Sequence, residues 1–264
     1  MPSIATRQGS LHYEVSGKGE PVILLHGYQG SWGLWQSTME FLGRSHRTYA
    51  VDFWGFGESG PRRSSYGIDD FVDLVAQFME HMGIARAPLV GHSMGGTVAL
   101  LVAARHPRKA SRVVAISAPV VGSSLRFFPR VFGVRPVAWF TYHNLWLYRA
   151  FYRLLGPSYS RDPHWADMMD RDVSNIQLEA FFASIGSLRT ADLRPVLSQI
   201  AVPVVGMYGR RDNIVDPGQW RPLQEGLPHA VIDDFPGCGH FLMLDEPERF
   251  MMHLAAFLME SEVP

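Results

Sequence analysis

Short apolar runs alternate with stretches in which apolar residues recur at spacings of three and four. Leu11–Val15 alternates between apolar and polar positions, as a half-exposed antiparallel strand does. Pro21–Leu25, Thr48–Asp52, Leu89–Gly91 and Val113–Ser117 are instead apolar nearly throughout, and Val202–Tyr208 and Ala230–Phe235 continue the series. Runs apolar on both faces belong to strands covered on both sides, the condition of a parallel sheet. Between them, Ile68, Phe71, Val72, Val75, Phe78, Met79 and Met82 fall on one face of a helix, which Gly83 ends. Val98, Leu101 and Val102 mark another, stopped by Pro107. Strands alternating with crossover helices define an α/β fold with a mostly parallel sheet.

The alternation breaks between Pro119 and about Thr190. No strand pattern occurs there, and aromatic residues crowd together, so residues 119–190 are expected to form a helical cap inserted into a core of residues 1–118 and 191–264. From Val121 through Arg153 there is no acidic residue, whereas Arg126, Arg130, Arg135, Arg149 and Arg153 punctuate Phe127, Phe128, Phe132, Trp139, Phe140, Trp146 and Phe151. A lid of this composition offers an apolar roof, and its arginines and aromatics add a weak contact with anionic lipid surfaces as a further expectation.

Composition narrows the picture. An apolar share of 47% against 19% charged residues excludes a disordered or fibrous chain. With 24 basic and 25 acidic residues, no global field would gather nucleic acid. The single cysteine, Cys238, can form neither an internal disulfide nor a multi-thiolate metal site, and no basic start leads into an apolar signal segment, so a cytoplasmic protein is expected. His, Asp and Glu nowhere follow a metal-ligand spacing, so neither metal nor cofactor is expected.

The chemistry concentrates in Gly91-His92-Ser93-Met94-Gly95-Gly96, between the strand pattern of Ala87–Val90 and the helix pattern of Thr97–Ala104. A serine on so sharp a turn needs strained backbone angles, and glycines two residues either side remove the side chains that would block it. Its hydroxyl would stand clear of the sheet, beside N–H groups of the helix N-terminus suited to developing negative charge. A serine attacks a carbonyl at neutral pH only if a base takes its proton and an acid orients that base. His240 in the loop Gly237-Cys238-Gly239-His240-Phe241 can be the base. Asp212, just beyond the strand pattern Val204–Tyr208, can be the acid. Asp216 is the rival acid, although its place before Pro217 also fits a helix cap.

The order Ser93, Asp212, His240 resembles that of the α/β-hydrolase family over nearly the whole chain. Leu25-His26-Gly27-Tyr28 is similar to the family's oxyanion loop, and Asp52-Phe53-Trp54-Gly55-Phe56-Gly57-Glu58-Ser59 to its Asp-x-x-Gly-x-Gly-x-Ser turn. The resemblance implies an eight-stranded type of sheet, an oxyanion hole from the N–H groups of Tyr28 and Met94, structural roles for His26 and His92, and a lid where the cap is expected. Trp32 and Phe241, beside the loops, are candidates for the substrate pocket, whereas Trp35 fits core packing equally well. Cys238 reads as a buried small side chain. His12, His46, His81, His106 and His253 read as surface residues.

The leading expectation is a serine carboxylesterase, lipase-like in character, acting on small esters of short-to-medium acyl length. Thioesterase, monoacylglycerol lipase, lactonase and carbon–carbon hydrolase chemistries stay open, the last disfavoured because Gly27-Tyr28-Gln29-Gly30-Ser31-Trp32 lacks a Gly-Pro-Gly pattern. Dehalogenases and epoxide hydrolases of the resembling fold place Asp where Ser93 stands. Outside enzymology, a ligand-binding receptor with vestigial turnover is the alternative. Oligomeric state is not legible in the sequence.

Overall fold

The computed structural model describes residues 2–6, 8–61, 65–126 and 134–260, without the side chains of Ala138 and Tyr148. Phe127, Phe128, Arg130 and Phe132, counted above among the cap's side chains, lie outside the described residues.

Eight strands form one sheet: β1 (Ser3–Ala5), β2 (Ser10–Ser16), β3 (Glu20–Leu25), β4 (His46–Val51), β5 (Ala87–His92), β6 (Ala110–Ile116), β7 (Val204–Gly209) and β8 (Val231–Phe235). Their spatial order is β1-β2-β4-β3-β5-β6-β7-β8. The pairs β1/β2 and β2/β4 are antiparallel, and every later pair is parallel, with Leu25 level with both Val51 and Gly91. The parallel strands have the two-sided burial their composition requires: Val22–Leu25, Tyr49–Val51 and Val113–Ile116 are all buried. β1, only three residues long, carried no pattern from which to expect it.

Helices cover both faces. Ile68–His81 presents Phe71, Val75, Phe78 and Met79 to the core, and Gly83 follows it at φ 66°, the left-handed conformation that ends the helix. Met94–Arg105 is buried along almost its whole length, packed on β5 and β6.

Among the described residues, four longer helices, Arg135–His143, Leu145–Tyr159, Trp165–Ser174 and Leu178–Thr190, and the short helix Arg194–Leu197 lie between β6 and β7. Hydrogen bonds join the longer helices to the loop after β3. Tyr28 Oη donates to the Phe181 carbonyl at 2.8 Å, Ser31 Oγ to Asp172 Oδ1 at 2.8 Å, and Tyr152 Oη to Gln29 Oε1. The helical segment thus sits over the carboxyl ends of the parallel strands, where such sheets collect ligands. No described helix is long and apolar enough to cross a membrane.

Candidate active site

Ser93 occupies the turn between β5 and the helix Met94–Arg105, at φ 52° and ψ −118°, a region that non-glycine residues rarely enter. The strain is held by packing on every side. The Ser93 N–H donates to the Ile116 carbonyl at 2.7 Å. A Cβ on Gly91 would stand 2.2 Å from the Gly95 carbonyl oxygen, and one on Gly95 would stand 2.3 Å from that of Leu25. Only glycine at both positions lets strand, turn and helix close this tightly.

His240 reaches the site from the loop after β8. Its Nδ1 is 2.7 Å from Asp212 Oδ2, and both side chains are buried. The other carboxylate oxygen of Asp212 accepts from the N–H groups of Ile214 and Val215 at 2.8 and 2.9 Å, so Asp212 is anchored by its own loop. An ionised carboxylate accepting on this side directs the Nδ1 proton toward itself and leaves Nε2 as the basic nitrogen. Asp216 is turned elsewhere: its Oδ1 accepts from the Gly218 N–H at 2.8 Å and caps the short turn Pro217–Gln219.

The two further histidines near Ser93 are neutral and hold backbone. His26 accepts the Phe53 N–H on Nε2 at 3.0 Å and therefore donates from Nδ1 to the Gly27 carbonyl at 2.7 Å, and burial keeps its pKa below the ordinary value. His92 donates from Nε2 to the His240 carbonyl at 3.0 Å, with its pKa driven well down by burial and then by the neighbouring His240. Together they brace the loops that carry Gly27 and His240. A Cβ at Gly27 would lie 2.9 Å from His92 Nδ1 and 3.1 Å from the Ser93 Cβ, so the loop bearing Tyr28 runs directly against Ser93. The N–H groups of Tyr28 and Met94 donate to no other described protein group.

Ser93 and His240 open into one cleft. Phe241 lines it, along with Tyr28 and, from the helices above, Phe151, Tyr152, Tyr159, Trp165, Met168, Met169, Ile185 and Leu188. Trp32 does not. Its backbone N–H donates to Asp52 Oδ1 at 2.6 Å, and Trp32 lines an adjoining groove with Gly57, Glu58, Arg171 and Asp172. Asp52 also accepts from the Glu58 N–H at 2.9 Å and bonds His12 Nδ1 at 2.8 Å, clasping three segments beside the sheet. His12 is correspondingly buried, contrary to the surface position expected of it, and the Asp52 carboxylate holds its pKa above the ordinary value despite the opposing effect of burial.

The aromatic roof is also narrower than expected. Trp139, Phe140 and Trp146 are 56, 54 and 66% exposed and line no part of the cleft. Trp35 is wholly buried in the core. Cys238 is buried too, and burial together with Glu246 pushes its thiol up to about 12, which leaves it inert as a nucleophile.

Asp172 was not anticipated. It is 2% exposed, lines the cleft, and shares a helical face with Trp165, Met168 and Met169. The signal for it is an acidic residue at an apolar position of the pattern 165, 168, 169, 172.

A sequence profile described as the alpha/beta hydrolase fold matches residues 20–247. The chain belongs to the alpha/beta hydrolase fold family. Among relatives, 2-hydroxymuconate semialdehyde hydrolase of Pseudomonas sp. is 27% identical, the match covering 94% of this chain and 89% of that protein. Pimeloyl-(acyl-carrier protein) methyl ester esterase of Vibrio cholerae is 28% identical over 94% of this chain and 98% of its own. The crystal structure of the enol-lactonase from Burkholderia xenovorans superposes with a TM-score of 0.86 at 23% identity, covering 98% of this chain and all of that one, a likeness of fold.

Proposed function

We propose that the protein is a serine hydrolase that cleaves carboxylic esters of short-to-medium acyl length through an acyl-enzyme. The observation that carries this reading is the convergence of a strained, glycine-flanked Ser93 and an Asp212-bound His240 on one apolar cleft. In the reaction, Ser93 Oγ attacks the ester carbonyl while His240 Nε2 takes its proton. The N–H groups of Tyr28 and Met94 receive the negative charge of the tetrahedral intermediate, each such donor contributing on the order of 10²-fold to rate. His240 then returns the proton to the departing alcohol, and water attacks the acyl-serine in the same way. Asp212 keeps the imidazole oriented throughout.

Relatives of this chain include an ester hydrolase and a hydrolase of a muconate derivative, whereas a similar structure is an enol-lactonase. The charge of the cleft supports one ranking among them. No Arg or Lys is among its described lining residues, and Asp172 would repel an anion, so neutral or cationic esters and lactones rank ahead of muconate-like acids. We read residues 119–190 as the cap that roofs the cleft, and its exposed aromatics as a weak contact with lipid surfaces. A single buried thiol fits a reducing compartment such as the cytoplasm.

The test is labelling with a fluorophosphonate beside hydrolysis of p-nitrophenyl esters from acetyl to palmitoyl. Wild-type protein should be labelled stoichiometrically and favour medium over acetyl chains, each buried methylene adding up to about 0.8 kcal/mol. Ser93→Ala should lose labelling and at least about 10³-fold in turnover. Wild-type protein that neither labels nor turns over would be a ligand-binding member of the family instead.

A further inference from the structure

Three carboxylates are buried in this chain among the described residues: Asp52, Asp172 and Asp212. Burial of a carboxylate is costly unless its oxygens are hydrogen-bonded. Asp52 meets that demand with Trp32, Glu58 and His12, and Asp212 meets it with His240, Ile214 and Val215. Asp172 does not. Its Oδ1 accepts from Ser31 Oγ at 2.8 Å and lies 3.6 Å from Nε of Arg171, but Oδ2 has no hydrogen-bond partner among the described residues. Arg171 is itself 62% exposed, so its charge is shared with solvent. Burial, aided by the negative Asp52 and opposed by Ser31 and Arg171, pushes the Asp172 carboxyl up to about 6.

The position of this incompletely bonded group matters as much as its burial. Asp172 stands between the cleft of Ser93 and His240 and the groove of Trp32, Glu58 and Arg171, lining both. Between it and Trp165, seven residues and about 10 Å along the helix, lie Met168 and Met169, which line the cleft as well. The Trp165 indole N–H, also buried, has no acceptor among the described residues. The wall is therefore apolar along its middle, with an incompletely bonded carboxyl oxygen buried at one end and an indole N–H without an acceptor buried at the other. A site serving plain alkyl chains alone has no use for a buried acceptor, because a carboxylate without a partner there weakens both fold and binding.

We propose that Asp172 determines specificity, its Oδ2 accepting a hydrogen bond from a hydroxyl or ammonium group that the substrate carries on its acyl chain, several bonds from the ester carbonyl. The proposal rests on the hydrolase reading and sharpens its substrate class, from alkyl esters to esters of hydroxy or amino acids with the polar group remote from the reacting carbon. Met168, Met169, Ile185 and Leu188 accommodate the carbon chain between the two ends. Discrimination of this kind is strong, because a buried polar group left unpaired penalises the analogue that lacks its partner.

Methyl esters of unbranched acids of six to ten carbons, each bare, ω-hydroxy or ω-amino, measure the effect in wild type, Asp172→Leu and Asp172→Asn. At the best chain length, wild type should prefer a substituted ester to the bare one by tenfold or more in kcat/KM. That ratio should collapse in Asp172→Leu. In Asp172→Asn, which keeps volume and one acceptor oxygen but no charge, the preference for the ammonium should fall further than that for the hydroxyl, so the two variants guard against misfolding of either. A ratio of substituted to bare ester that is the same in wild type and both variants at every length overturns the proposal. The corresponding primary amides, titrated by indole fluorescence, give the same comparison without turnover. If wild type cleaves none of the esters, bare ones included, the hydrolase reading fails, and the amide titration alone decides whether Asp172 recognises the donor.

Discussion

At the scale of single residues, the two candidate acids show how geometry separates neighbours. Asp212 and Asp216 are four positions apart, yet Asp212 divides its oxygens between His240 and two backbone N–H groups, whereas Asp216 caps a turn. Asp212→Asn removes the negative charge facing the imidazole and offers an amide that can stabilise the wrong tautomer. Turnover should fall by roughly three to four orders of magnitude. Asp216→Asn leaves a side chain that caps a helical turn about as well, so the rate should stay within about twofold of wild type. Steady-state kinetics on one ester compare the two directly, and the opposite ranking would assign the orienting role proposed for Asp212 to Asp216. Asp212 was legible in the sequence because it directly follows an apolar strand. The direction of each carboxylate was not, since it depends on where His240 arrives from the loop after the neighbouring strand β8.

Among the elements, the helices between β6 and β7 differ most from the pattern read along the chain. Their aromatic residues divide into two sets. Phe151, Tyr152, Tyr159 and Trp165 line the cleft, whereas Trp139, Phe140 and Trp146 face outward, as does the aliphatic Leu154 with 79% exposure. The arginines of this stretch are partly answered: Arg135 pairs with Glu179 at 3.1 Å, and Arg149 and Arg153 with Asp170 at 2.5 and 3.5 Å. Lipid contact would then rest mainly on insertion of exposed aromatics into the headgroup boundary. Cosedimentation with anionic vesicles should be measurable and should fall in the double variant Trp139→Ser, Trp146→Ser, with cleavage of short soluble esters unchanged because neither residue lines the cleft. Equal sedimentation with and without vesicles would leave these helices as a lid alone. The acid-free composition was readable in advance. Which aromatics face inward was not, because a helix with apolar residues on several faces does not declare which one docks.

For the whole molecule, the buried Asp172 links stability to pH. A carboxyl raised from 3.8 to about 6 binds its proton more tightly in the folded chain than in the unfolded one. Folding is therefore penalised above about pH 6, by at most about 3 kcal/mol, and the penalty is relieved as pH falls through 6 toward 4. Asp172→Asn, which cannot ionise, should unfold several degrees higher than wild type at pH 8 and within about a degree of it at pH 4, as judged by thermal denaturation. A variant less stable than wild type at pH 8 would contradict this sign. Stability surrendered at a cleft is an expected cost of a binding group held ready.

The sequence by itself determined what rests on contiguous residues. Two-sided apolar runs specified the buried parallel strands, glycines around Ser93 specified the tight turn, and Asp212 and His240 each followed a strand pattern closely enough to be marked. The tertiary structure alone decided what rests on segments distant in the chain. Ser31 meets Asp172 across 141 positions, and His12 is buried against Asp52 across 40. Trp32, whose backbone N–H is held by the same Asp52 across 20 positions, does not line the cleft. The physical reason is that hydrophobic periodicity reports which face of an element leaves water, whereas the partner of a buried polar group depends on what the rest of the chain packs against that face.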